Sequence, residues 1–379
     1  MRAGSGRVLV VVAHPDDETL SFSSVCPGAD VALVTNGNWL GRGAARAGEF
    51  RAACRLLGVR SALRFELPDL YPHPLPHDEL LARLRGLGRY DRVYTHSPLD
   101  SHPHHRSVSL AAAEAFQEAW IPAQGCRPTE VAVLDDDSFA AKLGIMNTVY
   151  FKEIFAPDQS YELQSQDIGA VEAFSRVSYP EVVRALALTR HQLRPELPDV
   201  WGFETSPYEA ERLDLTCRLL AEAIPGAAPW VIIEVGACEG SMTERLSTAF
   251  PAARVQAVEP HPVFAGRLRR RIKHCANVEV IEADAVAVDL KADVITFAEV
   301  LYYLVPEAAN RLLARAEAKH LLTSNYPGYD DQVVRWLSSL GWRESKAATL
   351  PPRFEPIDSR SSIIARRVGT TIRMWRRLT

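Results

Sequence analysis

Five apolar residues, Val8-Leu9-Val10-Val11-Val12, run without interruption into Ala13-His14-Pro15-Asp16-Asp17-Glu18. An unbroken run of this length, rich in β-branched residues, reads as a strand buried on both faces. Such strands occur where helices cover both sides of a parallel sheet. A strand ending in one imidazole and two adjacent carboxylates has little to gain in stability. Neighbouring carboxylates repel unless a cation or a proton lies between them. A divalent metal removes that conflict, and His and Asp are suitable ligands for zinc. The alternative is a solvated turn in which Pro15 and Asp16 simply break the strand.

A second cluster weighs against the turn. Thr95-His96-Ser97-Pro98-Leu99-Asp100-Ser101-His102-Pro103-His104-His105 follows another strand-like stretch, Tyr90 to Tyr94. It concentrates four of the chain's 11 histidines into a single loop. In an open α/β sheet the loops at the carboxyl ends of the strands converge on one crevice. A loop carrying His14 and Asp17 can therefore meet one carrying His105. Three protein ligands with one position left for water make a catalytic zinc site rather than a closed structural one.

On these motifs, residues 1 to about 195 resemble the PIG-L/LmbE family of zinc-dependent de-N-acetylases, whose signature is an AHPDDE loop followed by an HPDH loop. The first is intact at Ala13 to Glu18. The second reads His102-Pro103-His104-His105, with His104 where the family has Asp. Thr35-Asn36-Gly37, Arg46-Ala47-Gly48-Glu49 and Leu67-Pro68-Asp69 are weaker matches. The resemblance implies that His14, Asp17 and His105 hold Zn2+ or another divalent metal. It implies that Asp16 is the general base on a zinc-activated water, and that His102 polarises the amide carbonyl and stabilises the oxyanion. An acidic residue at position 104 would hold His102 protonated, which a histidine cannot do by charge; Asp100 is the available substitute. His96 and His104 read as packed or surface histidines, and Glu18 as a support for the loop.

Strand and helix signals alternate through the first half. Asp30 to Thr35, Leu63 to Leu67 and Asp91 to Thr95 read as strands. Ala44 to Leu57, His77 to Leu87 and His105 to Trp120 read as helices. Glu130 to Leu134 and Asn147 to Phe151 are further strand-like segments, 121–129 and 135–142 read as loops, and Pro180 to Leu193 as a helix. Prolines at 195, 198 and 207 place a boundary near residue 196. The expected domains are 1–195 and 196–379.

The second half carries its own signature. Trp230 to Val235 is an apolar run ending in Glu234-Val235-Gly236-Ala237-Cys238-Glu239-Gly240, and a helix opens at Ser241 or Met242. Glycine permits close approach of backbone to a ligand. Arg254 to Val258 ends in Glu259, an acidic residue placed about 20 residues beyond a glycine loop to accept ribose hydroxyls. Val278 to Glu282 leads to Ala283-Asp284-Ala285, and Asp293 to Phe297 to Ala298-Glu299-Val300. A nicotinamide dinucleotide fits less well, because the third glycine and a pyrophosphate-sized loop are missing.

These four strand ends resemble class I S-adenosylmethionine-dependent methyltransferases, with the middle glycine of the usual motif replaced by Cys238. The resemblance implies that Glu234, Gly236, Ala237 and Gly240 surround the amino-acid part of S-adenosyl-L-methionine. Glu259 would take its ribose, and Asp284 and Ala285 its adenine. Trp201 to Glu209, with Tyr208, and Glu299 to Leu304 resemble the nodulation-type (NodS-like) N-methyltransferases, so Glu299 and Tyr208 join the cofactor-binding candidates. The fold class that follows is α/β, two Rossmann-like three-layer domains with mainly parallel sheets.

A net charge of −4 argues against a general nucleic-acid binder. Six scattered cysteines form no C-x-x-C pair and fit a reducing compartment. The start precedes an apolar run too short for a signal peptide, and nothing approaches the ~18 apolar residues of a membrane span. A cytoplasmic enzyme follows, with neither nucleic acid nor membrane as partner; homo-oligomerisation stays open. Ser361 to Ala365 reads as a strand closing the sheet, and the basic tail Arg366 to Thr379 as a solvated face. The expected activity is bifunctional: hydrolysis of an N-acyl amide on an amino sugar or glycoside, then N-methylation of the freed amine. The rivals are O-methylation at a separate position, or one catalytically dead domain that binds.

Overall fold

The computed structural model describes residues 6–38, 41–151, 168–188, 195, 197–224, 229–358 and 360–377. It divides into two compact units, Met1–Leu193 with Arg360–Ile364, and Arg194–Ser359 with Ala365–Thr379. The start at residues 1–5, the helix end expected over 189–193 and the boundary expected at 196 lie outside the described residues.

The first unit runs β1 (Val8–Val12), α1 (Asp17–Phe22), β2 (Asp30–Thr35), α2 (Gly43–Leu56), β3 (Ser61–Leu67), α3 (His77–Gly86), β4 (Arg92–Tyr94), α4 (Pro103–Phe116), β5 (Glu118–Pro122), β6 (Glu130–Val133), α5 (Asp136–Thr148), β7 (Val171–Ser178) and α6 (Tyr179–Leu188). The strands order as β3-β2-β1-β4-β5-β7-β6. They are parallel from β3 to β5, and β7 is antiparallel to both neighbours. The apolar run of β1 is explained by its two covered faces. Leu9 and Val11 pack toward Leu80, Leu84 and Val108 of α3 and α4. Val10 and Val12 pack toward Phe22, Phe50 and Cys54 of α1 and α2. β1 is central, so its carboxyl end opens between β2 and β4, where α/β sheets place ligands.

Several local expectations are corrected. α4 stops at Phe116, not Trp120, because Gln117 takes a left-handed conformation at φ 67°. Residues 118–122, read in part as helix and in part as loop, form β5, burying Ala119 and Ile121. Residues 135–142 are not a loop and Asn147 to Phe151 not a strand. Asp135 accepts the Ser138 N–H at 2.9 Å and starts α5. The fully buried Lys142 of that helix reaches Glu172 Oε1 at 2.7 Å, tying α5 to β7.

The second unit contains α7 (Pro207–Ala223), β8 (Val231–Val235), α8 (Ser241–Ala249), β9 (Arg254–Val258), α9 (Pro262–Arg271), β10 (Val278–Ile281), β11 (Val294–Ala298), α10 (Pro306–Arg315), β12 (His320–Asn325), α11 (Pro327–Ser339), β13 (Trp342–Leu350), β14 (Arg353–Pro356), β15 (Ile364–Arg367) and β16 (Thr370–Arg377). Its main sheet orders as β10-β9-β8-β11-β12-β16-β13. This repeats the topology of the first unit, with the last strand inserted antiparallel beside the edge. Ile233, Phe297 and Leu321 face α10 and α11, while Ile232, Val294 and Leu322 face α7 and α8.

The tail expected to be a solvated basic face is β16. Its Ile372, Met374 and Trp375 are buried, and Arg373 is tied to Asp330 at 2.7 Å. Its burial runs nearly unbroken from Thr370 to Trp375, and of the five arginines Arg367 is itself buried, in β15. Ser361 to Ala365 does not close the main sheet: Ile363 bridges Cys126, and among the described residues β15 forms a two-stranded sheet with β14.

Candidate active sites

In the first unit, the loop after β1 is held from several sides. The Ala13 N–H donates to His96 Nε2 at 2.9 Å, and Thr35 Oγ1 donates to the Ala13 carbonyl at 2.8 Å. Asp16 sits at φ 111°, a conformation that costs a non-glycine residue on the order of 1–3 kcal/mol. Its surroundings enforce it. Arg46 Nη2 donates to Asp16 Oδ2 at 2.9 Å and also to the Pro15 carbonyl, while the Asp16 N–H donates to Glu18 Oε2 at 3.1 Å. Glu18 is fully buried and accepts from Tyr150 and Thr19 at 2.7 and 2.8 Å. Burial pushes its carboxyl above the ordinary value.

Three donors converge from the two loops. His14 Nδ1 lies 3.7 Å from Asp17 Oδ2, His105 Nε2 lies 3.5 Å from Asp17 Oδ1, and the two imidazole nitrogens are 3.3 Å apart. Tetrahedral ligands on bonds of about 2.0–2.2 Å are separated by about 3.3–3.6 Å. The two Asp17 distances run to different carboxylate oxygens, however, and the residues that come together through one ligand atom each are His14, His102 and His105; His14, Asp69 and His104; and Asp17, His96 and His105.

The outward nitrogens set which lone pairs face inward. His104 Nε2 is 3.0 Å from the His73 carbonyl, which only accepts, so His104 carries its proton there. Its Nδ1 then accepts from His14 Nε2, 3.0 Å away, which leaves the His14 Nδ1 lone pair facing inward. Asp100 Oδ2 takes the His105 Nδ1–H at 2.9 Å, which turns the Nε2 lone pair inward. Burial opposes charge on both rings. It prevails at His14, which falls well below its ordinary value. At His105 the carboxylates of Asp17 and Asp100 outweigh burial and raise the pKa.

One expectation changes here. Asp100 does not substitute as the acid beside the His102 ring; it binds the His102 backbone N–H at 2.8 Å and the His105 imidazole. His96 and His104 are both buried, the packed alternative of the two expected, and each also touches a proposed ligand. His96 stacks on His105 with 3.9 Å between ring centroids, and His104 orients His14. His102 lies 4.7 Å from His14 and 5.0 Å from Tyr71, ring to ring. Its Nδ1 accepts the His104 N–H at 3.2 Å, so the neutral ring carries its proton on Nε2. Burial, followed by His105 and His104, pushes its pKa down to about 4. Sequence reasoning assigned no role to Arg46, Asp69 or Tyr71. The first two lie inside weak family matches, a signal that was present; Tyr71 carried none.

In the second unit, Gly236 and Gly240 sit at φ 75° and 87°. A Cβ on Gly236 would lie 2.6 Å from Val300, and one on Gly240 would lie 2.5 Å from Leu268. The N–H groups of Gly236 and Ala237 both reach the Val258 carbonyl, at 2.9 and 3.0 Å. Cys238 adopts the glycine-like φ of 51° and donates its N–H to Glu259 Oε2 at 2.8 Å. The other Glu259 oxygen accepts the His261 N–H at 2.8 Å. Glu234 is turned away from the loop, onto Thr243 Oγ1 at 2.6 Å, and burial raises its pKa to about 8. Asp284 is exposed and caps a short turn through Val286 N at 3.0 Å; Ala285 packs against the core.

Glu299, at φ 55°, accepts from Ser324 at 2.7 Å, from Tyr302 at 2.8 Å and from Thr370. Tyr208 is buried beneath the guanidinium groups of Arg353 and Arg367, at 5.2 and 5.6 Å. Among the described residues, Arg212 Nη1 and both polar side-chain atoms of Asn325 are buried without a hydrogen-bond partner. The Cβ positions of both glycines are taken by Val300 and Leu268, so this unit's own packing requires glycine there, while Arg212 and Asn325 keep unused hydrogen-bonding capacity.

Residues 9–116 match the family described as GlcNAc-PI de-N-acetylase (PIG-L), and residues 185–324 match Nodulation protein S (NodS). The two folds and their loop constellations define a two-domain α/β enzyme. Specifically, the chain joins a PIG-L domain to a NodS-like methyltransferase domain. Nodulation protein S of Sinorhizobium fredii (strain NBRC 101917 / NGR234) is 32% identical over 125 residues, covering 32% of this chain and 56% of that protein. Ribosomal RNA small subunit methyltransferase A of Acidobacterium capsulatum is 31% identical over 116 residues, covering 31% of this chain and 33% of that protein. The matched segments thus span between a third and somewhat over half of these relatives. Among solved structures, the N-methyltransferase NodS from Bradyrhizobium japonicum WM9 with S-adenosyl-L-homocysteine has 19% identity and a TM-score of 0.41, covering 52% of this chain and 100% of that one. No helix among the described residues is long and apolar enough to cross a membrane.

Proposed function

We propose that this chain is a bifunctional enzyme that hydrolyses an N-acyl amide of an amino sugar or glycoside and then N-methylates the freed amine. The observation that carries the reading is the convergence of His14 Nδ1, Asp17 and His105 Nε2, 3.3–3.7 Å apart.

A divalent cation held by His14, Asp17 and His105 supplies Lewis acidity toward a water molecule and an amide carbonyl. Asp16, its carboxylate aimed by Arg46, takes the proton of the attacking water. The neutral His102 donates through Nε2–H where the oxyanion develops. The same Asp16 then holds the proton that the leaving amine needs.

In the second unit, S-adenosylmethionine supplies an electrophilic methyl group. Gly236 and Ala237 bring backbone to its amino-acid portion, Glu259 addresses the ribose, and Asp284 with Ala285 the adenine. A carboxylate has about four acceptor positions. Three hydroxyls leave Glu299 room for one more donor, which suits an amine N–H held in line for methyl transfer, largely a positioning task. Glu234 acts on the loop from within, through Thr243, and Tyr208 packs behind the site.

The test is to incubate metal-loaded protein with N-acetylglucosaminyl compounds, with and without S-adenosylmethionine, and to follow products by mass spectrometry. A free amine should form in both, and a methylamine only with the methyl donor. Methylation of the still-acetylated substrate by Asp16→Asn would overturn the order of reactions.

A further inference from the structure

His14 offers a nitrogen that the hydrolytic reading does not use. Its Nδ1 faces Asp17 and His105, whereas its Nε2 lies 3.0 Å from His104 Nδ1. Asp69 completes a second group there. Its Oδ1 is 3.5 Å from His104 Nδ1, and one donor from each of His14, Asp69 and His104 falls within 4.8 Å of the other two. The group is enclosed, with the side chain of His104 0% exposed and that of Asp69 4% exposed.

These three atoms hold more lone pairs than hydrogens. His104 carries its ring proton on Nε2, toward the His73 carbonyl 3.0 Å away, so its Nδ1 bears only a lone pair. An ionised carboxylate oxygen also only accepts. Two acceptor atoms therefore face each other across 3.5 Å, a spacing longer than an N–H···O hydrogen bond, with no hydrogen of their own to share. The one hydrogen at this point, on His14 Nε2, is directed at His104 Nδ1. A cation among the three atoms satisfies both acceptors at once. The His73 carbonyl already does for His104 what the outer partner of a metal-bound histidine does: it fixes the tautomer and aims the other nitrogen inward.

We propose that His14 Nε2, Asp69 and His104 Nδ1 form a second divalent-cation site, joined to the first through the His14 ring. This rests on the reading of His14, Asp17 and His105 as a metal centre. On binding, the cation takes the place of the hydrogen on His14 Nε2, which leaves as a proton to solvent. His14 then bridges the two ions, Nδ1 to one and Nε2 to the other. Two imidazole nitrogens and one carboxylate oxygen favour Zn2+ or Cu2+ over Mg2+ and Ca2+, which take oxygen ligands. The second ion is held more weakly than the first. The His14 and His104 nitrogens, now 3.0 Å apart, must part to reach the roughly 3.3–3.6 Å between tetrahedral ligands. Two dications on one ring also repel.

Metal titration of the full-length protein, first stripped with a chelator, tests this with the ions alone. Zinc, followed by calorimetry and by metal content after dialysis, should load in two steps, the second Kd about tenfold or more above the first. Asp69→Asn, isosteric and uncharged, should leave the first step in place and abolish the second. Copper reads out the bridge and needs no variant. Two Cu2+ ions joined by one imidazole couple magnetically, so the electron paramagnetic resonance signal should grow through the first equivalent and fall through the second. Uptake of a single ion, a second equivalent retained by Asp69→Asn, or a second copper signal that simply adds to the first would overturn the proposal. Uptake of no ion at all would overturn the metal-centre reading on which it rests.

Discussion

Nδ1 of His104 lies 3.0 Å from Nε2 of His14, and the other His104 nitrogen is fixed by the His73 carbonyl, also at 3.0 Å. The residue standing in the aspartate place of the second histidine motif is thereby an orienting partner of a proposed ligand. His104→Ala should weaken metal binding about 10- to 100-fold, and His104→Asp, which restores an acceptor, should recover much of it. Competition with a chelator measures both; an unchanged affinity in the alanine variant would remove His104 from the site.

Asp16 and Asp17 are adjacent but should separate functionally. Asp16→Asn should lower amide hydrolysis about 10²- to 10⁴-fold while the bound metal content stays at the wild-type level. Asp17→Asn should lose metal and activity together. Parallel metal analysis and rate measurements decide between these outcomes.

Stripping the metal should silence one unit alone. No residue of the His14, Asp17 and His105 set belongs to the methyltransferase unit. Dialysis against a chelator should abolish amide hydrolysis and leave the Kd for S-adenosylhomocysteine unchanged. Zinc added back should restore hydrolysis.

Glu234 introduces a pH dependence of stability. Burial pushes its folded-state carboxyl up to about 8, against an ordinary 4.5. The folded state therefore binds this proton more tightly than the unfolded chain. Its contribution is fully present below about 4.5 and is lost as the pH rises through about 8. Urea midpoints measured from pH 5 to 9 should fall for the wild type, and fall less steeply for Glu234→Gln. Identical slopes would refute the assignment.

Cys238 holds a left-handed φ of 51° between two glycines that share the sign. A side chain there costs about 1 kcal/mol that glycine does not. Cys238→Gly should therefore stabilise the protein by about 1 kcal/mol or less, since the glycine also loses more entropy on folding. The backbone donor to Glu259 remains. Denaturant unfolding of the two proteins supplies the difference; a loss of stability would show that cysteine packing outweighs the strain.

The order of strands, loops and helices was legible wherever a single period ruled a segment. Val8 to Val12 is apolar on both faces, Trp230 to Val235 is so except at Glu234, and both are central strands. His14, Asp17 and His105 stood out as candidates because a strand end gains little stability from such groups, and the structure brings them within 3.3–3.7 Å of one another. Two kinds of segment misled. α5 alternates apolar and polar residues too irregularly for its helix to stand out, and β16 hides a buried face beneath arginines that point elsewhere. Other relationships have no local trace. Asp100 serves His105 rather than the His102 ring, His104 serves His14 across 90 positions, and Arg212 keeps an open nitrogen beside Glu299. Residue type and spacing alone determined which groups were available for chemistry and which strands would carry them to one edge of each sheet. Tertiary packing alone decided which nitrogen faces inward and which donor goes unpaired, because a hydrogen bond depends on distances of tenths of an ångström between segments that the chain leaves free to meet in many ways.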